Sequence, residues 1–351
     1  MHASMILDGF ASKSIADAAQ LVKAGGLVGL PTETVYGLGA DADNDNAVAK
    51  IFAAKGRPPG HPLIVHVPDA ASVSHFAASV PDFAQQLARA FWPGPLTLIL
   101  PRREGVAAAA AGRQSSIGLR CPSHPVAQAL LKVCRQLDPN LAPSQKQVWG
   151  IAAPSANQFG RVSPTTAMHV QDEFGADLLI LDGGPCSVGI ESTIIDCTRT
   201  RPVLLRPGAI TREQVQAACG QSVLFNEELL ALDGPAPRAS GTLESHYAPN
   251  AKVRLMDAKE MQTALNMLGT DIGAANAGPI IATYARTALK VRSAQVLRKR
   301  MPDDASATAQ QLFAVMREFD AQGVKLIWIE QPPDTADWDG VRDRLQRAAA
   351  D

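Results

Sequence analysis

The chain has 351 residues, 46% hydrophobic and 19% charged, a globular composition too long for one ordinary domain, so two domains are expected. Lysine and arginine total 33 against 34 for aspartate and glutamate, which leaves no bulk positive field for holding nucleic acid nonspecifically; any RNA contact must be local. Five cysteines, an odd count without a Cys-x-x-Cys pair, argue against a zinc knuckle and a disulfide framework and for reduced thiols. No apolar run approaches the roughly 20 residues of a membrane span, and the first residues lack a basic-then-apolar signal pattern, so a soluble, cytoplasmic protein is expected.

In chain order, Ser14 and Asp17 read as a capping box, and Ile15, Ala18, Ala19 and Val22 give helical spacing up to Gly25-Gly26. An apolar strand at 27–30 stops at Pro31. A loop of hydroxyl, carboxylate and aromatic groups follows, before Gly37 and Gly39, which read as a sharp turn. Asn44 and Asp45 offer a helix cap, and Val48, Ile51, Phe52 and Lys55 lie on one face of a helix ending at Gly56. Lys55 and Arg57 then sit at a helix end beside a Pro-Pro-Gly turn, an arrangement suited to a ligand carrying phosphates and a carboxylate. The α/β rhythm continues with helices near 82–91, 165–174 and 211–219, and another after Ser123 with Pro125 in its first turn. Strands are expected near 96–100, 117–120, 150–153, 178–181, 193–196 and 203–205. Residues 107–111, all alanine, are open between a helical turn and a loop. Residues 137–148 read as an exposed loop, and 226–250, rich in Gly, Pro, Ser and Ala, as a linker. Beyond it, strands near 253–256, 279–282 and 326–330 alternate with helices near 258–268, 305–319 and 338–349, a small three-layer α/β domain.

Some motifs can be set aside on their mechanics. Gly37-Leu38-Gly39-Ala40-Asp41-Ala42 matches a relaxed dinucleotide fingerprint, but the strand stops seven residues early and the later region offers Lys55 and Arg57 in place of an acid. No P-loop motif occurs. His61 and His66 would face opposite sides of a strand, so a shared metal is not expected. Ser155 lies outside a Gly-x-Ser-x-Gly elbow, which discounts a serine hydrolase. What remains is a set of polar clusters after apolar strands: Ser116 to Arg120, Gly150 to Asn157 running on to Arg161 to Thr165, Gly189 to Asp196, and Leu204 to Gly208.

Pro-Thr-Glu-Thr-Val-Tyr-Gly-Leu at 31–38, Lys-Gly-Arg-Pro at 55–58 and Pro-Leu-Ile-Val-His at 62–66 together resemble the Sua5/YrdC family, the threonylcarbamoyl-AMP synthases of tRNA modification. The resemblance is dense over 14–210, and Ser245-His246-Tyr247-Ala248-Pro249 extends it to the longer Sua5-type arrangement. It implies a YrdC-like twisted mixed sheet with flanking helices around a concave cleft (1–220), a linker or lid (221–250) and a small Rossmann-like α/β/α C-terminal domain (251–351). It implies synthesis of threonylcarbamoyl-adenylate and pyrophosphate from L-threonine, bicarbonate and ATP, with Mg²⁺ accompanying ATP and the product handed to a tRNA threonylcarbamoyl-transferase. By resemblance Lys55, Arg57, Ser155 and Asn157 are catalytic. Thr34, His66, Arg120, Ala153 and Ser192 would hold threonine, and Arg57, His61, Ser116, Ser155, Ser163, Arg206 and Tyr247 would hold ATP. Two departures stand out: His61, where the family often has Asn, and the 137–148 insertion.

Two rivals differ in class. An RNA-binding module would use the same cations without chemistry, but near-neutral charge and the lack of interleaved aromatics count against it. A carbamoyl-adenylate transferase of the hydrogenase-maturation type shares this fold, but zinc-finger cysteines and an acylphosphatase-like segment are missing. Within the linker, the Tyr247 ring is expected to cover the nucleotide and shield a labile mixed anhydride from water.

Overall fold

The computed structural model describes residues 5–137, 147–229, 236–241, 247–268 and 279–350. Most of the 137–148 insertion and much of the 221–250 linker, including Ser245 and His246, lie outside the described residues. The chain divides into two compact units, Met1–Phe159 with Ser163–Thr242, and Gly160–Val162 with Leu243–Asp351.

In chain order the first unit contains β1 (Ile6–Asp8), α1 (Ser12–Lys23), β2 (Val28–Leu30), β3 (Gly37–Asp41), α2 (Asp45–Lys55) and β4 (Ile64–His66). Next come α3 (Val73–Phe76), α4 (Asp82–Phe91), β5 (Leu96–Pro101), β6 (Ser116–Arg120), α5 (Pro125–Arg135) and β7 (Ile151–Ala152). The unit closes with α6 (Ala167–Phe174), β8 (Ile180–Asp182), β9 (Thr193–Asp196), β10 (Val203–Arg206), α7 (Arg212–Cys219) and β11 (Leu224–Phe225). Its strands form one mixed sheet in the order β1-β8-β2-β3-β7-β4-β6-β5-β9-β10-β11. Helices α1 and α5 bury Ile15, Val22, Leu130 and Leu131 against Val28, Leu30 and Leu181. A second cluster joins Ile51 of α2, Leu87 of α4 and Val215 of α7 to Leu38, Val65, Leu98 and Leu119 of the sheet.

Local chemistry explains α2 closely. The Asn44 side chain accepts the Ala47 N–H at 3.1 Å, and Gly56, at φ 60°, takes the left-handed conformation that ends the helix. Lys55 is therefore fixed in the last turn. Two expectations need correction. Helix α1 starts at Ser12 with Ala11 as an N-cap that makes no side-chain bond, so Ser14 and Asp17 lie inside the helix rather than forming a capping box. Gly37 and Gly39 do not turn the chain; both lie in β3, paired antiparallel to β2 and β7. A Cβ on Gly39 would fall 2.8 Å from Leu30 Cδ2 and 2.9 Å from Ile151 Cγ2, so close packing demands glycine there. The open stretch at 107–111 is a succession of turns. It is pinned by the Asp43 and Asp45 carboxylates, which accept the N–H groups of Ala107 and Ala109 at 3.0 and 3.2 Å.

The second unit holds β12 (Lys252–Met256), α8 (Ala258–Met267), β13 (Ile281–Ala285), β14 (Val296–Arg300), α9 (Ala305–Ala321), β15 (Leu326–Glu330) and α10 (Asp339–Ala348). Its four strands are all parallel, in the order β12-β15-β13-β14. Met261 and Leu265 of α8 pack on Met256, Ile281, Val296 and Trp328. Ile327 and Ile329, alternating with Trp328, are also fully buried, so both faces are covered. Strand β14, which sequence periodicity does not reveal, is an edge strand reading Val-Leu-Arg-Lys-Arg; charge on an edge discourages pairing with another sheet.

Candidate active site

Lys55 emerges from the last turn of α2 with only 2% of its surface exposed. Its Nζ donates to the Ser155 carbonyl at 2.6 Å and to the Asn157 carbonyl. An ammonium has three N–H groups, so one remains for a ligand. Burial and then the charge of Arg57 lower its pKa to about 7, against the opposing pull of Glu173 and Glu191. Arg57, also buried, donates through Nη2 to the Pro62 carbonyl at 3.2 Å and lies 5.8 Å from the centre of the Phe159 ring. His61 meets the same ring edge-on at 5.7 Å. Burial first and Arg57 second hold the His61 pKa below its ordinary value.

A second group forms where β4 and β6 run parallel and His66 pairs in register with Arg120. Arg120, 3% exposed, donates from Nη1 to Thr34 Oγ1 at 2.8 Å and from Nε to the Gly94 carbonyl at 3.3 Å. Its Nη2 lies 2.8 Å from Glu33 Oε1 in a buried ion pair. A guanidinium has five N–H donors in a planar fork, so N–H directions remain for a second carboxylate. Burial alone would raise the Glu33 pKa, but the adjacent guanidinium together with the backbone N–H groups of Glu33 and Ser123 outweighs it and holds the carboxyl below its usual range. Burial and Arg120 lower the His66 pKa to about 3, so this ring is neutral, and its buried Nδ1 has no hydrogen-bond partner among the described residues. Ala153 joins this wall by donating its N–H to the Ile64 carbonyl at 3.0 Å.

Strands β9 and β10 supply the remainder. Arg206 donates from Nη2 and Nε to the Ser192 carbonyl at 2.9 and 3.1 Å, and Ser192 Oγ lies 2.7 Å from Thr97 Oγ1. Ser163 donates to Glu191 Oε1 at 2.5 Å. Ser116, at the start of β6, lines a small recess with Pro62, Thr97, Ile194, Arg238 and Ser240. All the residues assigned above by resemblance therefore lie in the first unit except Tyr247. That residue belongs to the second, where its ring is 1% exposed, stacked 5.5 Å from Phe313, with Arg344 at 5.3 Å. Glu33 and Glu191, the acids that balance these cations, received no role from sequence, although both stand inside the motifs quoted there.

A mixed α/β unit that gathers buried Lys55, Arg57, Arg120 and Arg206 beside hydroxyl and amide groups has the make-up of an enzyme that handles phosphate-bearing and carboxylate-bearing substrates. Residues 20–208 match the Sua5-YciO-YrdC family model, described as "Telomere recombination", and residues 210–350 match "Threonylcarbamoyl-AMP synthase, C-terminal domain". The chain belongs to the Sua5/YrdC family of threonylcarbamoyl-AMP synthases. It is 36% identical over 346 residues to the threonylcarbamoyl-AMP synthase of Bacillus subtilis, covering 95% of this chain and 92% of the relative. The Pyrococcus abyssi synthase is 34% identical over 342 residues, 95% and 93% of the two chains. The crystal structure of P. abyssi Sua5 complexed with L-threonine superimposes with a TM-score of 0.81 at 33% identity, over 97% of this chain and 95% of that one.

Proposed function

We propose that this chain condenses L-threonine, bicarbonate and ATP into L-threonylcarbamoyl-adenylate and pyrophosphate, the activated intermediate for N6-threonylcarbamoyladenosine in tRNA. The observation that carries the reading is the pairing of two cationic groups in one unit. Lys55 and Arg57 have donors suited to phosphate, and Arg120 with Thr34 has donors suited to a carboxylate. Relatives of B. subtilis and P. abyssi carry the synthase name, and the P. abyssi structure holds L-threonine.

In this reading the threonine carboxylate lies against Arg120, whose plane is fixed by Thr34, Gly94 and Glu33. The amine, after losing its extra proton to solvent, adds to the bicarbonate carbon and a C–O bond breaks with loss of water, giving a carbamate; this anion is already a nucleophile, so its attack on phosphorus requires no general base. One carbamate oxygen bonds to the α-phosphorus of ATP as the bond to pyrophosphate breaks. Bringing two anions together is the obstacle, and the remaining Lys55 N–H and the Arg57 guanidinium meet it by neutralising charge on the phosphoryl oxygens. Ser155 and Asn157 hold Lys55 through their carbonyls, while Ser163, His61, Ser116 and Arg206 contact the nucleotide. Mg²⁺ accompanying ATP would supply further charge neutralisation on the phosphate oxygens. Among the described residues no helix is long and apolar enough to cross a membrane. We place the reaction in the cytoplasm, with a tRNA threonylcarbamoyl-transferase receiving the product.

Pyrophosphate release measured with each substrate omitted in turn tests the reading. Release is expected only when threonine, bicarbonate and ATP are all present; equal release without threonine overturns it.

A further inference from the structure

Arg238 lies in the stretch that sequence reads as a linker or lid, and its backbone is tied to the first unit in both directions. Its N–H donates to Gln114 Oε1 at 3.0 Å, and its carbonyl accepts from Gln114 Nε2 at 3.1 Å. Two residues on, the Ser240 carbonyl accepts from Arg206 Nη1 at 2.8 Å. Arg238, Ala239 and Ser240 consequently form one wall of the recess that also contains Ser116, Thr97 and Ile194. The backbone is held on either side of a side chain that is itself exposed and makes no hydrogen bond or ion pair among the described residues. An exposed arginine is ordinarily just solvated. This one shares its recess with Pro62, whose carbonyl accepts from Arg57 Nη2 at 3.2 Å, and both guanidinium charges act on His61. Gathering like charges without an anion between them costs free energy, which a bound polyanion would return.

Resting on the synthase reading above, we propose that Arg238 is a nucleotide-binding residue that contacts the β- and γ-phosphates of ATP, the part that departs as pyrophosphate. Lys55 and Arg57 neutralise the reacting α-phosphate from within the buried site. Arg238 meets the remaining phosphates at the exposed rim. Gln114 is its positioning residue: it touches no substrate and fixes the backbone from which the guanidinium reaches.

The test is equilibrium binding of ATP, AMP and inorganic pyrophosphate to the full chain and to Arg238→Ala, Arg238→Lys and Gln114→Ala. Loss of a charge-assisted phosphate contact should weaken ATP and pyrophosphate about tenfold, or about 1.4 kcal/mol, and leave AMP within about twofold. Arg238→Lys should recover part of the loss, and Gln114→Ala should show the same selectivity to a smaller degree. Equal weakening of all three ligands, or no weakening of any, would overturn the assignment. Threonine-dependent pyrophosphate release by the unaltered chain is measured alongside. If that release persists while the selectivity is absent, only the role of Arg238 fails; if the release itself is absent, the synthase reading fails first.

Discussion

Binding of ATP should draw protons from solution near neutral pH, because Lys55 is held at a pKa of about 7 in the free protein. At pH 7.5 such an amine is about one quarter protonated, at pH 7 about half, and at pH 6 about nine tenths. A phosphate charge about 4 Å from Nζ, at an effective dielectric constant of about 20, contributes about 4 kcal/mol, or about three pKa units. The bound amine is then fully protonated over this range. Uptake at Lys55 should therefore be about three quarters of a proton at pH 7.5, about 0.5 at pH 7 and about 0.1 at pH 6. The sign follows from linkage: the bound state holds more protons, so ATP affinity falls as pH rises above 7. Calorimetry in two buffers of different ionisation enthalpy measures the uptake. Subtracting the same titration of Lys55→Met cancels proton exchange by the nucleotide itself. Identical proton exchange in the two proteins at pH 7.5 would refute the argument, since it would mean that Lys55 is already charged before ATP arrives.

Three further outcomes concern the supports of the site. Glu33→Gln breaks a buried ion pair and should cost about 3 kcal/mol in urea denaturation at pH 7. Because the folded pKa of Glu33 is lowered, its contribution is present above the unfolded value and is lost as pH falls through the folded one, so the gap between the proteins should narrow in acid; a gap that does not depend on pH would contradict the ion-pair account. Asp41, buried in β3, is raised to about 6 from 3.8, chiefly by burial, so the native state bears the cost of an ionised carboxylate above pH 6. Asp41→Asn should stabilise the protein at pH 7 by up to about 3 kcal/mol and change nothing near pH 3, as followed by thermal unfolding; destabilisation at pH 7 would show that the carboxylate is needed as an anion. Gly39→Ala should lose about 1–3 kcal/mol by overpacking against Leu30 and Ile151, and a neutral result would mean that β3 can move aside.

The features legible in the sequence are those set by neighbours along the chain. Helix α2 is readable at both ends because Asn44 and Gly56 act on their own helix, and with it the placement of Lys55. Strand β1 has three residues and is held by β8, distant in sequence, so periodicity gives no sign of it. Gly37 and Gly39 mislead for the same reason: a glycine pair locally favours a turn, whereas Leu30, Ile151 and Ala153 make it a packing requirement. At the site, the cations stand out as charges following apolar strands. Their balancing acids do not, because Glu33 gains meaning only beside Arg120, and Glu191 only beside Ser163. The grip of Gln114 on Arg238 joins residues 124 apart and leaves no local pattern.

The central claim is that one carbon from bicarbonate becomes the bridge between the nitrogen of threonine and the α-phosphate of ATP. Incubating the full chain with ATP, Mg²⁺, threonine and ¹³C-bicarbonate, followed by mass spectrometry of the quenched mixture, tests it directly. The account predicts an adenylate heavier than AMP by a threonylcarbamoyl group, carrying one ¹³C and missing when threonine is withheld. Hydrolysis of ATP to AMP and pyrophosphate with no labelled adenylate, even immediately after mixing, would contradict it.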